Sequence, residues 1–513
     1  MIGLRSFGRV RFFAPVLLIA SALTFPEARS ATLIYTNDVM GEIEPCGCKR
    51  DPLGGLVREQ GLLKGLPDKE LLLLDGGNLL FAGEAIAPAL QDQAKLQAHF
   101  LIRALNLLKQ SASVPGPNDL ALGLKVFDKL RKEAHFPFLA ANLLKKDGSA
   151  VLAPYKIFNL HDAKKKRLRV AVLGLVSPSI TWPTDEIKVT PALEAAMKWI
   201  PSLKKKSDLI IALTHEGIEA DEELAAKTAG IDLIVGGHSM SFLVEPKKVQ
   251  AATGDVTYIF QSSYKNQYTG VVPLEKPFQA LEHRLDPLDP SYDNAGSISK
   301  LVVDFKKAIQ KLSAQEQAAA EKSAGPDATP KFHTFPRCAG CHMKQFDFWR
   351  KTQHATALHA LLSKNQASNK ECLQCHTVGF QDKHGFHRPR ELATLEDGTF
   401  AGSEQLARYL KVIHDAKSLD EEVKFEPKEA EALPLRTHLS TLTRSWAPVQ
   451  CENCHLPGQN HPFEGVYTKE VARETCLKCH THDRAPEWYG QNGRPDWEKI
   501  AQKRSLITCP AGD

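Results

Sequence analysis

The sequence predicts two architectures in one chain: an α/β sandwich over the first two-thirds and a mostly helical region over the last third. Two observations predict it. Between residues 33 and 273, apolar runs rich in Leu, Ile and Val alternate with amphipathic stretches, the pattern of sheets covered by helices. Between residues 338 and 480, eight of the eleven cysteines fall in four copies of one spacing, C-x-x-C-H.

The N-terminus comes first. Arg5, Arg9 and Arg11 precede the 14-residue apolar run "FFAPVLLIASALTF" and the small residues of "EARSA". A basic segment, an apolar core too short to span a bilayer and a small-residue cleavage site read as a secretory signal over residues 1–30, so the chain is expected in the periplasm. No later stretch is apolar enough to cross a membrane, and no stable span is expected after cleavage. Loss of Arg5, Arg9, Arg11, Arg29 and Glu27 takes the net charge from +5 to +2, which argues against a nucleic-acid partner.

The expected strands are "LIYTND", "LLLLDGG", "FPFLAAN", "RVAVLGLVS", "DLIIALTHEG", "IDLIVGGHS" and "VTYIFQSS". Polar residues end several of them, where α/β folds build their sites. Over residues 31–295 these segments resemble the exported 5′-nucleotidase and UDP-sugar hydrolase branch of the calcineurin-like metallophosphoesterases. That resemblance implies a four-layer αββα sandwich. It aligns "YTNDVMG" and "LLLLDGGN" with the first two metal loops, "PGPNDLALG" with the third, and "LTHEG" and "GIDLIVGGHSM" with the histidine loops.

The resemblance implies two metal ions bridged by an aspartate and flanked by histidines, activating water for attack on phosphate. This chain keeps Asp38, His215 and His238, but has Met40 and Met240 for two histidines and Asn78 for the bridging aspartate. The Asn-His pair of the third loop becomes Pro117-Asn118. A neutral amide removes the negative charge that holds two dications together. The expectation is a degenerate site of Asp38, Asn78, Asn118, His215 and His238 with room for one divalent metal ion.

Eight residues past Asp38 stands Cys46-Gly-Cys48. Three readings of the pair stay open: a strained, easily reduced disulfide, soft metal ligands, or a redox dithiol. "GEIEPCGCKRDPLGGL" is also similar to a group of phosphoesterase-like proteins in which the second cysteine position can be selenocysteine, which implies redox chemistry. Residues 296–332 follow as a helix, marked by Ile298, Val302, Phe305, Ile309 and Leu312, and a Ser-Ala-Gly-Pro linker.

Residues 333–513 hold the four motifs: Cys338, Cys341 and His342; Cys372, Cys375 and His376; Cys451, Cys454 and His455; Cys476, Cys479 and His480. C-x-x-C-H is the attachment signature of c-type haem, in which two thiols bind the porphyrin and the adjoining histidine reaches the iron. Zinc or disulfide use of the cysteines would leave the repeated histidine without a reason. Four c-type haems are therefore expected. Nine further histidines follow residue 332, and the candidates for the opposite side of an iron are His354, His461, His359, His387, His438 and His482. Cys509 has no partner by spacing.

"CAGCHMKQFDFWRKTQHATAL", "CENCHLPGQNH" and "CLKCHTHDRAPEWY" resemble the tetrahaem cytochromes c of nitrogen-cycling bacteria. The resemblance implies packed, mostly bis-histidine haems, with His354 and His461 as distal ligands. The expected function is electron transfer with periplasmic or membrane redox partners. Two others stay open: a metal-dependent phosphohydrolase with an appended cytochrome, and a terminal oxidoreductase for a small nitrogen or sulfur oxyanion.

Overall fold

The computed structural model describes residues 31–45, 52–66, 70–162, 164–275, 282–323, 331–382, 384–387, 392–395, 403–424, 431–439, 442–458, 461, 470–490 and 493–510. Residues 1–30, where the secretory signal is expected, and Cys46 and Cys48 lie outside the described residues.

Thirteen strands precede residue 288 among the described residues: β1 Ala31–Thr36, β2 Glu70–Asp75, β3 Ala112–Ser113, β4 Leu143–Lys145, β5 Tyr155–His161, β6 Arg167–Val176, β7 Ile187–Val189, β8 Leu209–His215, β9 Leu233–Val235, β10 Lys247–Gln250, β11 Val256–Phe260, β12 Tyr268–Pro273 and β13 Arg284–Pro287. They form a five-stranded sheet, β13-β12-β1-β2-β3, and a six-stranded sheet, β10-β11-β9-β8-β6-β5; β4 and β7 pair separately. The helices of this part are α1 Leu56–Gly65, α2 Gln91–Leu108, α3 Leu124–Glu133, α4 Ala192–Lys204, α5 Ile218–Lys227 and α6 Ser297–Ser323.

The period-two alternation of β6 explains the layers. Val170, Val172 and Val176 join Leu33, Leu72 and Leu74 in the core between the sheets. Ala171, Leu173 and Leu175 point the other way, into a second core with Ala196 and Ile200 of α4 and Leu224 of α5. On the opposite side, α2 and α6 cover the first sheet, with Phe100 and Phe305 in ring contact at 5.5 Å. Two sheets thus lie between two helical layers.

The run "FPFLAAN" departs from its expected strand. It makes isolated bridges, Ser113 to Phe138 and Leu139 to Ala153, while the Ala141 N–H donates to Gly174 of the other sheet. Pro137 has no N–H for a ladder, and the segment crosses between sheets instead of joining one.

The C-terminal region is mostly short helices: α7 Thr334–Ala339, α8 Met343–Trp349, α9 Ala357–Ser363, α10 Lys370–His376, α11 Ser403–Asp415, α12 Leu435–Leu439, α13 Cys451–His455 and α14 Trp497–Ser505. Its apolar core gathers Phe335, Phe346, Trp349, Phe386 and Trp446. No helix among the described residues is long and apolar enough to cross a membrane.

Candidate functional sites

The cleft of the N-terminal part forms where β1, β2, β8 and β9 end. The turns after β1, β2 and β9 carry Asp38, Asn78 and His238, and His215 is the last residue of β8. The backbone there is bent sharply: φ is +50° at Asp38, +55° at Met40, +54° at Asn78, +79° at His238 and +51° at Met240. Five non-glycine residues in the left-handed region persist only where their surroundings over-determine them.

Hydrogen bonds do so here. Asp38 Oδ1 accepts from Asn78 Nδ2 at 3.0 Å, and Oδ2 accepts from Asn37 Nδ2 at 3.0 Å and the His238 N–H at 2.9 Å. Burial pushes the Asp38 carboxyl up to about 6 despite these donors. Asn37, which no sequence motif had marked as a hub, also accepts from the Ser262 N–H at 2.6 Å and donates to the Ser263 carbonyl at 2.6 Å.

His215 is fully buried, and its Nδ1–H donates to the Gly76 carbonyl at 2.7 Å. That bond fixes the tautomer and leaves Nε2 as a lone-pair donor, and Nε2 is buried with no hydrogen-bond partner. Burial holds this imidazole down at about 4 and also lowers His238, whose ring centroid lies 5.3 Å away. A Cβ added at Gly116 would come 2.2 Å from Asn78 Oδ1 and 2.7 Å from His215 Nε2, so these two atoms line one small cradle. An unpartnered imidazole nitrogen and an amide oxygen there suit a single cation.

Asn118 stands apart. Its backbone N–H donates to Asn78 Oδ1 at 3.0 Å, but its side chain turns to the Phe81 carbonyl at 3.2 Å. Asp119 accepts from the Leu80 and Gly116 N–H groups, both at 2.7 Å, and braces the loops. Among the described residues, no three His, Cys, Asp or Glu side chains gather closely enough to hold a metal ion.

In the C-terminal region the chain brings motifs together. The thiol of Cys338 meets that of Cys451, and Cys375 meets Cys479, so the first motif adjoins the third and the second adjoins the fourth. The ring centroids of His342 and His461 are 5.9 Å apart, and those of His354 and His480 are 6.2 Å apart. Two imidazoles on one metal, with bonds of about 2 Å, put their centroids about 6 Å apart. Both pairs fit that span. His376 donates from Nδ1 to the Ala357 carbonyl at 2.8 Å, which leaves Nε2 for a metal. Burial lowers the pKa of His354, His376 and His480, favouring the neutral form that ligates.

The remaining candidates are placed differently. His438 is buried and donates from Nε2 to the Val423 carbonyl at 3.0 Å. His359, His387 and His482 are exposed, and His482 meets Tyr489 edge-on at 5.2 Å. Trp488 stacks on His480 at 4.2 Å and 5° between planes. The sequence held it inside a quoted motif, but only the folded chain assigns its contact. Beside the first motif, Cys341, His342, Met343, Lys344 and Arg436 help line a cavity of about 710 Å³.

Comparison with known proteins follows these two halves. The family model described as cytochrome c554 and c-prime matches residues 337–398, which include the first two C-x-x-C-H motifs. Snake venom 5′-nucleotidase from Crotalus adamanteus is 28% identical over 318 residues, covering 56% of this chain and 50% of its own. The calcineurin-like phosphoesterase YfkN from Bacillus subtilis has a solved structure, 23% identical, covering 55% of this chain and 97% of that one, with a TM-score of 0.45. The 5′-nucleotidase precursor from Thermus thermophilus is 18% identical, covering 66% of this chain and 68% of that one, with a TM-score of 0.47. The N-terminal part, two sheets between helical layers, is thus similar in sequence to 5′-nucleotidases. The C-terminal part matches a cytochrome c family. This chain spans about half the length of the venom 5′-nucleotidase it matches.

Proposed function

We propose that this protein is an exported electron-transfer protein holding four c-type haems, with a phosphoesterase-like cleft that does not act as a two-metal hydrolase. The observation carrying this reading is two close imidazole pairs, His342 with His461 and His354 with His480, each including one motif histidine. Haem iron bound at these motifs supplies one-electron oxidation and reduction. The eight motif cysteines tether the groups, and His342, His376, His455 and His480 are the proximal ligands. His461 would be the second histidine to hold the group at the first motif, and His354 that at the fourth. The Ala357 carbonyl orients His376, and Trp488 fixes the plane of His480.

In the cleft, the amide of Asn78 spends its N–H on Asp38 and brings no charge with which to bridge two cations. His215 Nε2 and Asn78 Oδ1 support at most one divalent ion. Cys46 and Cys48 are proposed as a redox thiol pair. Glu44, two residues before Cys46, pairs with Lys306 at 2.8 Å and accepts from Gln366 of the haem-bearing part at 3.3 Å. The partners are periplasmic or membrane redox proteins.

The deciding experiment is mass spectrometry with pyridine haemochrome absorbance on protein exported by a host that attaches c-type haem. Four thioether-linked haems are expected; a colourless protein of unmodified mass overturns the reading. Turnover of p-nitrophenyl phosphate with Mn²⁺ or Zn²⁺, abolished by His215→Ala, would establish hydrolysis instead.

A further inference from the structure

The two halves meet along a seam that reaches from the cleft to two of the four motifs. On the cleft side, the Lys265 N–H donates to the Asp38 carbonyl at 2.7 Å, one residue from the Asn37 hub. Its loop is held tightly: φ is positive at Ser263, Lys265 and Asn266, and Asn266 Nδ2 donates to buried Glu59 at 2.8 Å. From that loop the Lys265 ammonium reaches across to the Asp483 carboxylate, with the two side chains only 18% and 29% exposed. Asp483 lies three residues past His480 and also accepts from Thr481 Oγ. Its neighbour Arg484 donates from Nη1 to Cys375 Sγ of the second motif at 2.8 Å.

A second crossing seats the helix of the second motif. The Asn369 side chain caps α10 by accepting from the Glu371 N–H at 3.0 Å, and Gln93 of α2 donates to the same oxygen at 2.8 Å. The Lys370 N–H donates to Gln93 Oε1 at 3.0 Å, and its ammonium pairs with Glu316 of α6 at 2.6 Å. The first and third motifs, by contrast, are knit to each other: Glu452 accepts from the N–H groups of His333 and Thr334, and Gln450 accepts from Phe335 N–H.

We propose that the second and fourth motifs form one mechanical unit with the Asp38 cleft, joined through Lys265 and Asp483; the third motif touches this unit only through Asn453 Nδ2, which donates to the Thr377 carbonyl at 3.0 Å, and the first lies outside it. Lys265 is then a positioning residue for the turn Thr481–Arg484, and Asp483 one for the loop Ser262–Asn266. The electron-transfer reading gives this unit its use: the haem pair serving the cleft is the one at Cys372/Cys375 and Cys476/Cys479. Energetic linkage of this kind is reciprocal, so loosening either side loosens the other.

Hydrogen–deuterium exchange with mass spectrometry on the holoprotein tests this. Lys265→Met is expected to raise exchange about fivefold in peptides spanning 481–490, and Asp483→Asn likewise in peptides spanning 262–268, as for loss of one half-buried ion pair. Peptides spanning 335–342 should not change. The exchanged pair Lys265→Asp with Asp483→Lys should restore wild-type protection. An effect confined to the mutated side, or spread equally over all four motifs, overturns the proposal. Visible absorbance of the same samples reports haem content independently, so failure of the electron-transfer reading is told apart from failure of the seam.

Discussion

Asn78 Nδ2 donates to Asp38 Oδ1 across 3.0 Å, so a neutral amide meets a buried carboxylate. Replacing that amide reverses the sign of the contact. Asn78→Asp sets a second carboxylate against one already pushed up to about 6 by burial. Without metal the variant should lose about 1–3 kcal/mol of stability. Combined with Met40→His, it should bind Mn²⁺ at least about tenfold more tightly than wild type. Calorimetric titration and melting with and without Mn²⁺ check both outcomes.

The His354 and His480 rings sit 6.2 Å apart, whereas His359 is exposed. On the proposed ligation, His354→Ala should turn one low-spin ferric signal into a high-spin one in the EPR spectrum of the oxidised protein. His359→Ala should leave the spectrum unchanged. Equal spectra for the two variants would remove His354 from the ligand set.

Burial pushes the Glu59 carboxyl from its ordinary 4.5 up to about 7. The folded chain therefore holds this proton more tightly than the unfolded chain. The contribution is fully present below pH 4.5 and is lost as pH rises through 7. Glu59→Gln keeps an oxygen for Asn266 Nδ2 and removes the charge. At pH 8 the variant should be more stable than wild type by about 2–3 kcal/mol, with the difference vanishing near pH 4. Urea unfolding at the two pH values measures it.

Asn369 caps α10 and receives Gln93 with the same oxygen. Asn369→Ala should cost about 1 kcal/mol through the lost cap alone. Gln93→Ala leaves the cap in place but strips the buried Lys370 N–H of its acceptor, and should cost more, about 1–3 kcal/mol. Thermal melting of the two variants orders the effects.

Much of the fold was legible in the sequence because it rests on local apolar runs. β1, β2, β6, β8, β9 and β11 lie in the stretches that alternation marked. β12 pairs antiparallel with β1, and β13 with β12, to close the first sheet, a long-range choice that no local pattern announces. The C-x-x-C-H motifs were legible as fixed spacings, and His354 and His461 as candidate partners, but which motif each approaches was not. His461 follows His455 by six residues and yet faces His342, since helix packing rather than sequence distance sets which rings meet. The metal-loop residues were readable one by one, whereas the orientation of the Asn118 side chain toward Phe81 needed the folded loop. Lys265, Asp483 and Gln93 had no signature, being ordinary surface residue types whose meaning comes from the opposite half.

The crossings at Gln93–Asn369 and Lys265–Asp483 join positions 276 and 218 residues apart in the chain. Contacts that distant carry a large loop-closure entropy and form slowly. Synthesis runs from the amino end, so the sandwich can be complete while the haem-bearing half is still emerging. The late half is then expected to settle onto a finished surface, with the junction the last part of the molecule to assemble.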